Sequence, residues 1–390
     1  MDARENLLSV FRRQGIESVP VQFYLCPSLC DVFKQKTGSD LAYQDYFKLP
    51  MREVEFPKAP ARDSVDWRKY YPDGLKDQVF FDEWGIAHES GSAAAAHMTR
   101  MRHPMGRFDS LEQIQAYPFP DFASVDTTEL KHQIDAIHSR GLAVYAAMEC
   151  TIWETAWYLR DMTKLMMDMA MADDKAVWLL DKVTELACVR TSTFARLGVD
   201  IIRIGDDVGM QSALMMSEDF YRQFLKPRLA KVIKAAKDIK PDIIMQYHTC
   251  GYVTPLIKDF IEAGIDVLNP VQPECMDFAE IYDEFGDRLS FSGTIGTQTT
   301  MPFGTPEEVR KVTFRNLEIA GDKGGLLCCP THLLEPEVPW ENILAYVEAC
   351  QEFSGSSTQA SYKSQNERSI KAINSEMLAS QNRSVQKSEI

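Results

Sequence analysis

Short apolar runs alternate with long helical patterns along most of this chain, and that alternation leaves few folds open. A strand that continues into a helix rejoins its sheet by a crossover, so successive strands lie parallel. Seven runs read as strands, at 19–25, 143–149, 200–204, 243–248, 267–271, 289–293 and 325–329. The expected architecture is α/β: a single distorted (β/α)8 TIM barrel over residues 1–353, whose eighth strand has no clear run of its own. Its chemistry should collect at the C-terminal strand ends, where Glu149, Asp206, His248 and Cys329 stand.

Local signals agree with this layout. Thr305-Pro306-Glu307-Glu308 is a capping box, with the proline at the first helical position. Gly264 is placed as a C-terminal cap, and the apolar stripe of 219–237 (Phe220, Phe224, Leu229, Val232, Ile233) reads as one core-facing helix. Residues 49–122 break the rhythm. They read as a mainly helical insertion, with room for a hairpin, over one end of the barrel. Residues 354–390 are rich in Ser, Gln, Asn and Lys and read as a flexible tail, although Ile370, Ile373, Met377 and Leu378 fall near helical spacing.

The formal charge is −15, so the surface repels phosphate backbones and anionic lipid, which argues against nucleic-acid and membrane partners. No apolar run reaches the length of a membrane span, and the N-terminal stretch reads as an amphipathic helix rather than a secretory signal. Nine scattered cysteines suggest free thiols in a reducing, cytoplasmic setting, some of them as metal ligands.

The sharpest local feature is Tyr247-His248-Thr249-Cys250-Gly251. Residues two apart on an extended chain point the same way, so one imidazole and one thiolate can reach a single ion. Zinc accepts such a mixed set, and a catalytic site uses three protein ligands. A second cluster, Cys328-Cys329-Pro330-Thr331-His332, ends another strand and offers a third donor from Cys328, Cys329 or His332.

The stretches HTCGYVTPLIKDFIEAGIDVLNP, FSGTIGTQ and GGLLCCPTHLLEPEVPWENI resemble the C-terminal half of the uroporphyrinogen decarboxylase superfamily. HPMGRFDSLEQIQAYPFPD, the Asp206-Asp207 pair and SEDFYRQFLKPRL extend the resemblance upstream. It leans toward the corrinoid-linked methyltransferases. That implies zinc on His248 and Cys250, with His332 in register as third ligand when counted from Pro339 and Cys329 as its competitor. It further implies a corrinoid (cobalamin) supplied by a carrier protein, a small methylated substrate, and a lean toward the demethylating direction. The decarboxylase branch holds its substrate with an arginine-rich N-terminal element. At the matching place this chain has VQFYLCPSLC, with no arginine. A non-catalytic zinc- or corrinoid-binding scaffold is the remaining alternative, and a homodimer is left open.

Other polar groups are candidates for the same mouth. Asp206 and Asp207 would orient a ligand or bind substrate, or else cap a helix. Glu149 is a catalytic or ligand candidate and Gln211 a substrate contact. Phe23, Tyr24 and Trp84 would line a pocket or serve as core. His88, His97 and His103 read as surface or packing residues.

Overall fold

The structure, a computed structural model, describes residues 1–59, 65–90 and 99–355. Its main sheet is parallel throughout and contains seven strands: β1 (Met51–Val54), then, after a three-stranded insertion of β2 (Val79–Phe81), β3 (Ala87–Ser90) and β4 (Thr99–Arg102), the strands β5 (Ala143–Glu149), β6 (Ile201–Gly205), β7 (Ile244–His248), β8 (Val267–Asn269), β9 (Ser290–Ser292) and β10 (Leu326–Leu327). The order is β1-β5-β6-β7-β8-β9-β10. Strands buried on both faces must be apolar nearly throughout, which is why β5 and β7 were legible as continuous runs. The sheet is curled: residues from β1, β5, β6, β7, β8 and β9 line one central cavity.

Two expectations need correcting. The 19–25 run is extended but is not a ladder strand, so the described sheet has seven strands rather than eight. Pro20 has no N–H, and the neighbouring backbone groups are taken by side chains. Ser354 Oγ accepts from Val19 N at 2.8 Å and Tyr346 Oη from Gln22 N at 3.1 Å. Among the described residues a single parallel bridge, between Leu25 and Leu334, ties the segment's end to the chain following β10. Conversely, β1 lies inside the stretch taken as insertion; Arg52 and Glu53 interrupt its apolar pattern.

The insertion also differs from the helical expectation. Its described residues form the antiparallel sheet β2-β3-β4 with short helical turns, Trp67–Tyr70 and Leu111–Gln115 among them. Asp82 shapes the β2–β3 hairpin by accepting from Trp84 N and Ile86 N, both at 2.9 Å. Gly85 sits there at φ +76°, pressed on Trp67 so closely that a Cβ would lie 2.2 Å from the ring.

The helices follow their sequence signals apart from one break. Thr305 caps Pro306–Ala320 with a full capping box, and Gly264 ends Ile257–Ala263 at φ +104°. The 219–237 stripe is two helices, Glu218–Phe224 and Lys226–Lys237, because Pro227 cannot continue the first one's hydrogen bonding. Leu229, Val232 and Ile233 are buried as expected. Among the described residues no helix is long and apolar enough to cross a membrane. His97 and residues 356–390 lie outside the described residues.

Candidate metal centre

The C-terminal ends of β6 and β7 are brought unusually close. A Cβ on Gly205 would lie 2.5 Å from the His248 carbonyl oxygen, so only glycine lets the two strand ends meet there. Just beyond, Gly209 and Gly251 press the 206–210 and 249–252 loops together; Gly251 has φ +86° and a Cβ on it would sit 2.7 Å from Met210 O. Asp206 N donates to His248 O at 3.0 Å and Cys250 N donates to Asp207 Oδ1 at 2.7 Å, tying the two loops together.

This packing gathers Asp207, His248 and Cys250, whose donor atoms all lie within 4.8 Å of one another. His248 Nε2 stands 3.5 Å from Cys250 Sγ and 3.9 Å from Asp207 Oδ1. A nitrogen and a sulfur on one tetrahedral zinc are about 3.5 Å apart, given bonds of about 2.0 and 2.3 Å. The nitrogen–sulfur separation therefore fits a metal; the Asp207 oxygen, against about 3.3 Å expected from His248 Nε2, would have to move slightly inward, and the donor types suit zinc.

His248 is oriented from behind. Asn269 Nδ2 donates to Ser292 O at 2.8 Å, which turns Asn269 Oδ1 toward His248 Nδ1 at 2.7 Å. Arg203 Nη2 stands 3.0 Å from the same nitrogen, so two partners compete for it; a proton donated from Nδ1 to Asn269 Oδ1 would leave the Nε2 lone pair for the ion. Burial and the nearby Arg203 guanidinium hold the imidazole in its neutral form by lowering its pKa well below the usual value. Burial, then Asp207, pushes the Cys250 thiol up to about 12. Metal uptake therefore has to displace that proton.

The two adjacent aspartates have opposite fates. Asp206 is buried and accepts from Ile152 N at 3.0 Å and Glu154 N at 2.9 Å, satisfying the start of the Trp153–Arg160 helix. It is the helix-capping carboxylate, while Asp207 faces the donor group. Glu149 is exposed and ion-paired with Arg203 Nε rather than joined to that group.

His332 and Cys329 lie outside the three-donor group but line the adjacent cavity of about 290 Å³. The His332 ring is 6.3 Å from that of His248, centre to centre, and Cys329 Sγ is 3.7 Å from Ser292 Oγ. Phe23 and Tyr24 line the same cavity. Trp84 does not: it sits in the β2–β3 hairpin against Phe122, ring centres 5.6 Å apart. Gln211 is not among the cavity residues: it is exposed, its Nε2 3.5 Å from Glu274 O. His88 stacks on Phe80 and His103 bonds to Tyr158 O at 2.8 Å, both packing roles as read.

Sequence reasoning missed Arg203 and Glu154. Arg203 is an inward-facing charge in an otherwise apolar strand, a signal that was available. Glu154, whose Oε2 accepts from Asp207 N at 3.1 Å, is raised to about 7 by burial and by Asp207. No sequence pattern marks it.

Over 174 residues the chain is 30% identical to the methylcobamide:CoM methyltransferase MtaA of Methanosarcina barkeri, covering 45% of this chain and 48% of that protein. It is 27% identical over 181 residues to a uroporphyrinogen decarboxylase of Chlorobium limicola, covering 45% and 48%. The chain thus spans about half the length of the curated relatives it matches. A solved methyltransferase from Methanosarcina mazei has the same fold, with a TM-score of 0.66 at 19% identity over 90% of this chain and 99% of that one. The family model "Uroporphyrinogen decarboxylase (URO-D)" matches residues 108–353, and the chain belongs to that family.

Proposed function

We propose that this protein is a zinc-dependent methyltransferase that moves a methyl group between a small O-, N- or S-methyl compound and a corrinoid carried on a partner protein. The observation that carries the reading is the donor group of Asp207, His248 and Cys250, set at two adjacent strand ends beside a cavity of mixed polar and apolar lining. Three donors are one fewer than a closed structural site uses, which favours catalysis over a scaffold. On this reading His332 and Cys329, which line the cavity, contact the substrate.

Zinc bound there would supply a Lewis acid for the heteroatom that carries the methyl group. The chain's own residues set its character. Asn269 and Arg203 orient the His248 ring from behind, and Asp207 contributes a hard oxygen where a second thiolate would donate more electron density. A more electrophilic site favours releasing a methyl group from its donor, so the demethylating direction is the preferred one. All nine cysteines are free thiols, in keeping with a cytoplasmic enzyme.

Decarboxylation of a tetrapyrrole is the second reading, supported by the decarboxylases among the relatives. Against it, Arg203 is the one arginine among the described cavity residues and Glu149 already balances its charge, too little for a substrate with several carboxylates. The test is metal analysis and methyl transfer to a reduced corrinoid protein. His248→Ala and Cys250→Ala should each abolish both; full metal and turnover in Cys250→Ala would reject the proposal.

A further inference from the structure

We infer that Gln22 and Gln246 read the ligand inside the barrel, and that the group they hold is uncharged and hydrogen-bonding. The inference rests on the cavity assigned above and names the class of molecule it takes. Both side chains line that cavity, and both residues are almost wholly buried, 4% and 3% exposed. Yet the amide oxygen of each lacks a hydrogen-bond partner. Buried amides are normally satisfied, because leaving one unpaired costs stability. Two unpaired amides in one cavity are the mark of a site completed by its ligand.

Their placement matches the metal donors. Gln246 precedes His248 by two residues in β7, so both side chains stand on the same face of the strand, about 7 Å apart along it. A small molecule held at the amide can therefore present a methyl-bearing atom to the donor group a few bonds away. Gln22 approaches from the extended segment that precedes the Pro27–Thr37 helix.

The charges specify the rest. Glu149, paired at Arg203 Nε, balances the guanidinium charge, and Nη2 lies 3.0 Å from His248 Nδ1, so an anionic end would have to compete with Glu149. Glu53, the other cavity acid, keeps its contact with solvent and demands no cation. An amide can turn either its oxygen or its NH2 toward a ligand, which suits a hydroxyl or another neutral polar group.

The experiment is calorimetric binding to the purified holoenzyme of matched probes. The neutral probes are methoxyethanol and ortho-methoxyphenol. Their anionic counterparts are methoxyacetate and ortho-methoxybenzoate, and methoxyethylammonium is the cationic one. At least one neutral probe should bind at least tenfold tighter than its charged counterpart. Gln22→Met and Gln246→Met should each weaken that binding about tenfold while leaving the melting temperature unchanged or raised, since each removes an unsatisfied buried group. A merely structural amide would lower it instead. Charged probes that bind as well as neutral ones, neutral probes that do not bind, unchanged binding in both variants, or a lowered melting temperature in both would overturn the inference. Amide-dependent neutral binding without methyl transfer would leave it standing and count against the proposed reaction. Methyl transfer from an anionic donor, indifferent to both variants, would do the reverse.

Discussion

Asp206 and Asp207 are neighbours in sequence with separate tasks, and exchanging each for alanine should separate them. Asp206→Ala strips two buried N–H donors, those of Ile152 and Glu154, of their acceptor. At about 1–2 kcal/mol for each orphaned donor, the loss is about 2–4 kcal/mol. With an unfolding entropy of about 2.1 cal/mol/K per residue, the melting temperature of a chain this long falls by roughly 3–5 °C. Burial, then Glu154, pushes the Asp206 carboxyl well above the usual range, so an uncharged amide is a fair replacement. Asp206→Asn should therefore recover at least half of the loss. Asp207→Ala breaks one partly exposed bond to Cys250 N, about 1 kcal/mol, but removes a metal donor. Calorimetric melting combined with metal analysis of the folded proteins reads both effects. A stable Asp206→Ala that has lost its metal, or an Asp207→Ala that keeps its metal, would refute the division.

Gly251→Ala should destabilise the fold by about 1–3 kcal/mol and lower metal content, since φ +86° and the 2.7 Å approach to Met210 O both oppose a Cβ; normal metal loading would contradict this. Burial alone would raise the Asp200 carboxyl, but hydrogen bonds from Arg4, the Val144 amide and His138 outweigh it and hold the pKa below the ordinary value. Its stabilisation is thus present above the unfolded-state pKa of about 3.9 and is lost as pH falls through the lower folded value. Asp200→Asn should flatten the acid limb of the stability profile below about pH 4, and an unchanged limb would show the pair to be neutral in effect. Uroporphyrinogen should release no carbon dioxide at an enzymatic rate, and release would restore the decarboxylase reading.

Legibility from sequence followed burial. The run 143–149 matched its strand residue for residue because burial on both faces makes such a strand continuously apolar. His248 and Cys250 were legible because a spacing of two fixes their common side. β1 was hidden because Arg52 and Glu53 break its pattern. The 19–25 run was over-read: its side-chain pattern suits a strand, but its backbone groups bond to Ser354 and Tyr346, which no local pattern records. The roles of Asp206 and Asp207 depend on a loop contact between Gly209 and Gly251, a tertiary fact with no signature of its own.

The most direct test of the central claim is zinc-edge X-ray absorption of the purified protein. Ligation by Asp207, His248 and Cys250 predicts a single sulfur at about 2.3 Å, with the remaining shell of nitrogen and oxygen at about 2.0–2.1 Å. A shell of two sulfurs, which would bring Cys329 into the site, or a protein that binds no zinc, would contradict it.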